Sequence, residues 1–229
     1  MNLSPRLLKI ANFVEKNSIV ADVGCDHGYI PVYLVEKNIC EKVIATDINI
    51  GPVENAKKTI RNNNMIESID VRLGSGLTKI DEHEINSAII AGMGGLLIRD
   101  IIIQSKSIID SLEYFILQPQ NSQIELRMWL EKNEYNIVEE DLAFEGNKIY
   151  EIIKVKKGKM TITNDIMYEI GVNMKNVSKN DYMVFINKKI NKYLNIKENI
   201  LKNATSVDAD KISKINEKIM KLGDVLLCL

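Results

Sequence analysis

The sequence predicts an α/β fold, a mostly parallel sheet covered by helices, followed by a small α-helical domain. Three observations predict it. Short β-branched runs alternate with helical patterns through the first two thirds of the chain. Glycine-rich stretches fall where those runs end, the place where parallel sheets bind ligands. After "KVKKGKM", Lys154 to Met160, strand signals stop and long patterns rich in Lys, Asn and Ile take over.

The candidate strands are 19–23, 42–47, 69–73, 87–91, 114–118, a weaker one at 136–142, and 149–155. Their near-continuous apolar character is that of strands buried on both faces. Helical patterns lie between them at 29–37, 51–62, 95–106 and 122–132, giving the β-α-β rhythm of a doubly covered sheet. In the last third, Ile212, Ile215, Ile219, Leu222 and Leu226 follow a 3-4-3-4 spacing. Met183, Ile186, Ile190, Tyr193 and Ile200 continue the same seam, with Lys197 interrupting it. "NATSVDAD", Asn203 to Asp210, supplies a turn and a helix N-cap between the two. The reading is an antiparallel helical hairpin closed by a coiled-coil seam, hence domains 1–158 and 159–229. Each seam is too short to hold a parallel dimer zipper alone, so a monomer is expected, with a dimer as the alternative.

A chain of 229 residues, 45% hydrophobic and 27% charged, buries a substantial core. Its first twenty residues alternate apolar and charged positions without a signal-peptide core, and no apolar run reaches membrane-spanning length. The expected place is the cytoplasm, away from any membrane. Cys25, Cys40 and Cys228 show no CxxC or CxxH spacing, so neither a disulfide framework nor a metal site is expected. A net charge of -1 gives no global attraction to nucleic acid, but between Lys175 and Lys202 seven lysines face only two acids. Lys188, Lys189 and Lys192 are the candidate phosphate contacts there; the competing reading is a solvated helix face.

The stretch "VADVGCDHGYIPVYL", Val20 to Leu34, carries the first chemistry. Gly24 lets a ligand approach the backbone, and the helix beyond offers a partial positive charge. In a dinucleotide site that end holds a pyrophosphate, and Asp26 would then oppose it. Two like charges about 4 Å apart repel by roughly 4 kcal/mol at an effective dielectric of 20, which argues against NAD and ATP. S-adenosyl-L-methionine carries an ammonium and a sulfonium instead, and carboxylates at Asp22 and Asp26 suit both. Asp47, followed by Ile48, lies about 20 residues past Gly28, the spacing of an acid that accepts from ribose hydroxyls.

Three more loops follow strands. "RLGSGL" should close over the adenine through Gly74, Ser75 and Gly76, with Leu77 as an apolar face. "IIAGMGG" offers no side-chain base; Gly92, Met93 and Gly94 expose backbone that can hold a flat base edge. Tight packing at Gly94 or Gly95 is the alternative. In "ILQPQ", Gln118 and Gln120 flank Pro119 and their amides suit a nucleobase, or else a strand-ending turn. His83, Trp129 and the methionines read as surface or core residues.

With the leading "LSPRL", these motifs, "GCDHGYIP", "GSGL", "AGMGG" and "ILQPQ", resemble the bacterial tRNA (adenine(22)-N(1))-methyltransferase family over nearly the whole chain. The resemblance implies a Rossmann-like class I methyltransferase with a seven-stranded sheet, S-adenosyl-L-methionine as cofactor, tRNA as substrate and a helical tail that helps hold the RNA. It implies that Asp22, Gly24, Asp26, His27, Asp47, Gly76, Gly92 and Met93 line the cofactor or target-base pocket, with Arg6 near its mouth. Ser75, Gln120 and Gly28 depart from the family's usual Asp, Asn and Ala. Adenine N1 has an in-plane lone pair and needs no base, so positioning dominates catalysis. Asp26 is the candidate to accept from the target amino group or steady the charge moving onto the base, and His27 to orient that carboxylate or contact the cofactor. The rival readings are a methyltransferase of a small molecule or protein with a dimerising tail, and a non-catalytic RNA-binding protein.

Overall fold

The computed structural model describes residues 1–203 and 209–229, which form two compact units, Met1–Thr161 and Ile162–Leu229. The first unit is built on a seven-stranded sheet: β1 (Val20–Val23), β2 (Val43–Asp47), β3 (Ile69–Leu73), β4 (Ser87–Met93), β5 (Tyr114–Pro119), β6 (Tyr135–Glu145) and β7 (Lys148–Lys157). The spatial order is β3-β2-β1-β4-β5-β7-β6. The first five strands pair in parallel, whereas β7 runs antiparallel to β5 and β6 antiparallel to β7. The sheet is therefore mixed, with its parallel part bearing the glycine loops. Chain direction across the sheet reverses between β1 and β4, and that switch point is where a ligand crevice opens.

Helices α1 (Pro5–Asn12), α2 (Tyr29–Glu36), α3 (Ile50–Asn62), α4 (Gly95–Gln104), α5 (Lys106–Ser111) and α6 (Gln123–Lys132) cover the sheet. Pro5 opens α1 at a position whose amide would be unbonded anyway. The helix expected over 95–106 is two helices, because Ser105 leaves helical geometry (φ -113°) and the chain bends there. β1 and β2 are buried along their whole length, which accounts for their unbroken apolar runs. The β4–β5 register slips between Ala91 and Met93, making Gly92 an inserted residue at φ +77°. Such a bulge bends the strand end and turns its backbone outward.

Beneath α6 the core holds a charged cluster. Arg127 is fully buried and its guanidinium donates to Glu140 Oε1 (2.6 Å) and lies 2.7 Å from Glu151 Oε2. It ties the helix to both antiparallel strands.

The second unit contains α7 (Met167–Ile170), α8 (Lys179–Asn203) and α9 (Ala209–Cys228). Ser178 caps α8 by accepting from the Asp181 amide (3.1 Å) while donating to the Asp181 carboxylate (2.8 Å). Lys197 meets Asn216 (2.7 Å) and Tyr193 meets Lys218 (3.0 Å), so α8 and α9 run antiparallel. Ile186, Ile215 and Leu222 are buried in the seam, and Lys197 interrupts it by bonding across it. The turn and cap expected within 203–210 lie largely outside the described residues.

Candidate active site

The first loop is a succession of left-handed turns: Gly24 at φ +75°, Asp26 at +48° and Gly28 at +70°. Two amides, of Gly24 and Cys25, donate to the Thr46 carbonyl (2.8 and 3.0 Å) and anchor the loop to β2. Gly28 also sits against α3, where a Cβ would lie 3.2 Å from Ala56. Asp22, the last residue but one of β1, stands beside this loop, only 4% exposed, and no described side chain donates to it. Burial first, and then the charge of Asp47, push its carboxyl up to about 7.

Two cavities open at the carboxyl ends of the parallel strands. One, about 370 Å³, is lined by Asp47, Ile48, Gly74, Ser75, Gly76 and Met93, among others. The second, about 220 Å³, is lined by Arg6, Asp22, Asp26, His27 and Tyr29 with their neighbours. They share Gly24, Ala91 and Gly92. A ligand spanning both would pass Gly24 and Gly92, and the Met93 methyl packs where a Cβ of Gly24 would stand.

In the larger cavity, the Asn49 amide donates to Asp47 Oδ1 (2.9 Å), fixing the carboxylate while Oδ2 stays available to a ligand. Gly74 donates to the Asp47 carbonyl (2.9 Å) and Thr46 Oγ1 to the Gly76 carbonyl (2.9 Å), so the "GSG" loop is stitched to β2. Leu77 corrects the sequence reading: it is wholly buried and faces the core instead of the cavity. Leu97, Ile101 and Gln104 of α4 line the wall with it absent. They were missed, although their helical spacing after "AGMGG" puts all three on one face.

In the smaller cavity, exposure separates a buried inner end at Asp22 from an outer rim. Asp26 is 67% exposed by its side chain and His27 45%. His27 Nε2 lies 3.7 Å from Asp26 Oδ2, beyond hydrogen-bond reach, and its ring stacks on Tyr29 (centroids 5.2 Å apart, 15° between planes). The expected orienting of Asp26 by His27 is thus replaced by an ion-pair distance and an aromatic stack. Tyr29, missed at first because it reads as the start of α2, completes this rim.

The glutamines also move. Gln118 is fully buried; its Oε1 accepts from Arg6 Nη1 and from Gln120 Nε2 (both 3.1 Å), and its Nε2 donates to the Pro119 carbonyl (3.0 Å). An amide so committed does not read a base. Pro119 is buried, and neither it nor Gln120 is among the residues lining these two cavities. Gly94 packs instead of binding: a Cβ there would lie 2.9 Å from Asn121 Oδ1. Gly95 approaches the Asn121 carbonyl still more closely and donates to it (3.0 Å).

In the second unit, Lys188 and Lys192, one turn apart on α8, are exposed. Lys189 is not on their face. Its ammonium lies 3.7 Å from buried Glu169 and over the Phe185 ring (4.9 Å to the centroid).

A cavity ending in an acid, meeting a second acidic cavity at the switch point of a sheet with this strand order, is the arrangement of a Rossmann-like methyltransferase. Residues 3–153 match the family model for a methyltransferase domain. The tRNA (adenine(22)-N(1))-methyltransferase of Bacillus subtilis (strain 168) is 35% identical over 158 residues, 69% of this chain and 66% of that protein, so the alignment spans just under two thirds of the relative. Sp1610 of Streptococcus pneumoniae, solved in complex with S-adenosyl-L-methionine, superposes with a TM-score of 0.86 at 31% identity, covering 98% of this chain and 100% of that one. The crystal structure of the B. subtilis M1A22 tRNA methyltransferase TrmK gives 0.83 at 26% identity, covering 98% and 99%. The chain belongs to the tRNA (adenine(22)-N(1))-methyltransferase family.

Proposed function

We propose that this protein transfers a methyl group from S-adenosyl-L-methionine to N1 of adenine 22 in tRNA, in the cytoplasm. The observation that carries the reading is the pair of cavities joined at Gly24, Ala91 and Gly92, one shaped for a nucleoside and one opening through an acidic, aromatic rim. The residues fit the cofactor. Asp47 keeps one carboxylate oxygen for ribose hydroxyls, Leu97 and Ile101 give the base an apolar wall, and Gly24 has no side chain to obstruct it. Asp22, its carboxyl raised by burial, calls for a cation such as the methionyl ammonium. When bound, the cofactor supplies a methyl group activated by its sulfonium.

The chain's own part is positioning and electrostatics. No side-chain base stands at the Gly92 bulge, and adenine N1 needs none because its lone pair lies in the ring plane. The base must leave its stack for N1 to be reached, and the His27–Tyr29 pair offers an exposed aromatic rim beside the cavity mouth. Asp26, held in a left-handed turn at that rim, accepts from the target amino group and offsets the positive charge that methylation leaves on the base. Lys188 and Lys192 contact phosphates without reading sequence.

The test is transfer of labelled methyl to tRNA from a strain lacking this enzyme, with the product mapped to N1 of adenine 22. Label appearing in small molecules or protein and none in tRNA would overturn the reading.

A further inference from the structure

We propose that two copies of this chain associate through the outer edge of β3, pairing antiparallel about Val71. β3 is an end strand of the sheet and pairs with β2 alone. The Val43 amide donates to the Ser68 carbonyl (2.9 Å) and the Gly74 amide to the Asp47 carbonyl (2.9 Å), so the even-numbered residues of this segment turn their backbone toward β2. The odd-numbered ones turn theirs outward. The Ile69 amide is taken by the Met65 carbonyl (3.0 Å), whereas the Ile69 carbonyl and both backbone groups of Val71 and Leu73 have no partner among the described residues. Such an open row of donors and acceptors is what a further strand pairs with.

The order of side chains selects the partner. β3 reads Ile69, Asp70, Val71, Arg72, Leu73, and reversing it keeps the apolar and charged positions while exchanging the two signs. With Val71 opposite Val71 of the partner subunit, Asp70 stands opposite the partner's Arg72 and Ile69 opposite the partner's Leu73. Each half repeats the other, as a two-fold contact requires. The outward backbone of Val71 exchanges both bonds with its own copy, and the partner's Leu73 amide reaches the free Ile69 carbonyl. Asp70 and Arg72 then fall at the non-hydrogen-bonded positions, where opposite side chains come closest. Within the chain Asp70 accepts from Arg72 Nε at Oδ2 (2.7 Å), which leaves Oδ1 to the second copy. On the other face Ile69 and Val71 line a groove of about 360 Å³ with Ile60 and the exposed Ile66, and the second copy continues that apolar row. Edges protected against pairing carry Lys or Pro; β3 has neither. Lys57 and Arg61 line the same groove and recur in the second copy, and one short strand buries little area, so the association is weak and reversible. Because the paired strands oppose one another, the carboxyl ends of the two sheets, and the cavities there, face opposite ways.

The experiment is sedimentation equilibrium of the full chain as a function of concentration. The wild-type mass should rise from 26.0 kDa toward twice that value between about 5 μM and about 500 μM, the range of a weak contact. Val71→Pro removes an outward amide while sparing the bonds to β2, and Asp70→Arg places like charges opposite each other. Each should shift the association constant at least tenfold toward the monomer, and Asp70→Arg carries the comparison should Val71→Pro fail to fold. Register is read by cysteine pairing in a Cys228→Ser background, the other two cysteines being buried. Val71→Cys should cross-link to its own copy on mild oxidation, since the Cα atoms of such a pair stand about 5.5 Å apart. Leu73→Cys should not, because its opposite number is Ile69. A wild-type mass fixed at 26.0 kDa over the whole range would overturn the proposal and leave this edge to an extended segment of another protein. Dimers that persist in both Val71→Pro and Asp70→Arg, or that cross-link through Leu73→Cys and not through Val71→Cys, would overturn it as well, by placing the contact elsewhere or in another register.

Discussion

Asp22 and Asp47 lie at the carboxyl ends of adjacent parallel strands, Asp47 as the last residue of β2 and Asp22 one before the last of β1, and the charge of Asp47 adds to burial in holding the Asp22 carboxyl at about 7. A cation bound between the strand ends favours the ionised form of Asp22. Affinity for S-adenosyl-L-methionine should therefore rise as pH increases through about 7, by about tenfold between pH 6 and 8 if Asp22 alone governs it. Binding at pH 7 should release a proton. Calorimetry in buffers of different ionisation heats reads that proton directly, and buffer-independent heats would refute the assignment.

The same carboxyl affects folding in the opposite sense. Its pKa in the folded protein lies above the unfolded value, so the folded state holds the proton more tightly. Stability is free of this cost below the unfolded pKa of about 3.8, declines as pH rises toward about 7, and is constant above. Asp22→Asn removes the charge. It should stabilise the ligand-free protein at pH 8 by about 1–2 kcal/mol, less than the full cost of the charge because the amide still wants partners. Cofactor binding should weaken sharply in the same variant. Thermal melting with and without S-adenosylhomocysteine separates the two effects.

Arg127 neutralises two buried carboxylates, and its removal would leave both without their cation. Arg127→Met should destabilise the first unit by about 3–5 kcal/mol in chemical denaturation. Adding Glu140→Met and Glu151→Leu to that variant should recover most of the loss, since matched apolar groups need no partner. A triple variant as unstable as the single one would show that packing, not charge, holds α6.

These residues mark where the sequence was legible and where it was not. The parallel strands were visible because strands buried on both faces must be apolar throughout, and Asp22, Asp26 and Asp47 were visible because they interrupt such runs at glycine turns. Leu77 and Leu97 could not be told apart, since both are leucines within two residues of a glycine loop and only the packing of α4 decides which faces a ligand. Gln118 looked like a ligand group because a buried amide and a binding amide have the same sequence; its three internal bonds separate them. Lys189 was grouped with its neighbours by number, but a step of one along a helix turns about 100°, enough to carry it to Glu169.

The exposed pair on α8 is expected to act through charge alone. Replacing Lys188 and Lys192 by Gln should raise the KM for tRNA, leave S-adenosylhomocysteine binding unchanged, and reduce the slope of log K against log salt by about 1–2. Lys189→Gln gives the contrast: it should lower thermal stability, because Glu169 loses a cation, with a smaller change in the salt slope. An unaltered slope in the double variant would show that this face is only solvated.

Asp26 separates binding from chemistry. Its carboxylate is exposed at the rim while Asp22 occupies the buried end, so Asp26→Ala should leave S-adenosylhomocysteine affinity within about twofold and lower kcat. The size follows from its role. A single charge-assisted hydrogen bond made fully only as the base becomes positive contributes about 1.5–3 kcal/mol, which is about 10- to 150-fold in kcat. Asp26→Asn keeps the shape and can still pair with an amide geometry, but it offers no charge, so its kcat should stay close to that of the alanine variant if electrostatics dominates. Recovery of most activity by asparagine would assign Asp26 to positioning the base, and full activity in both variants would remove it from catalysis.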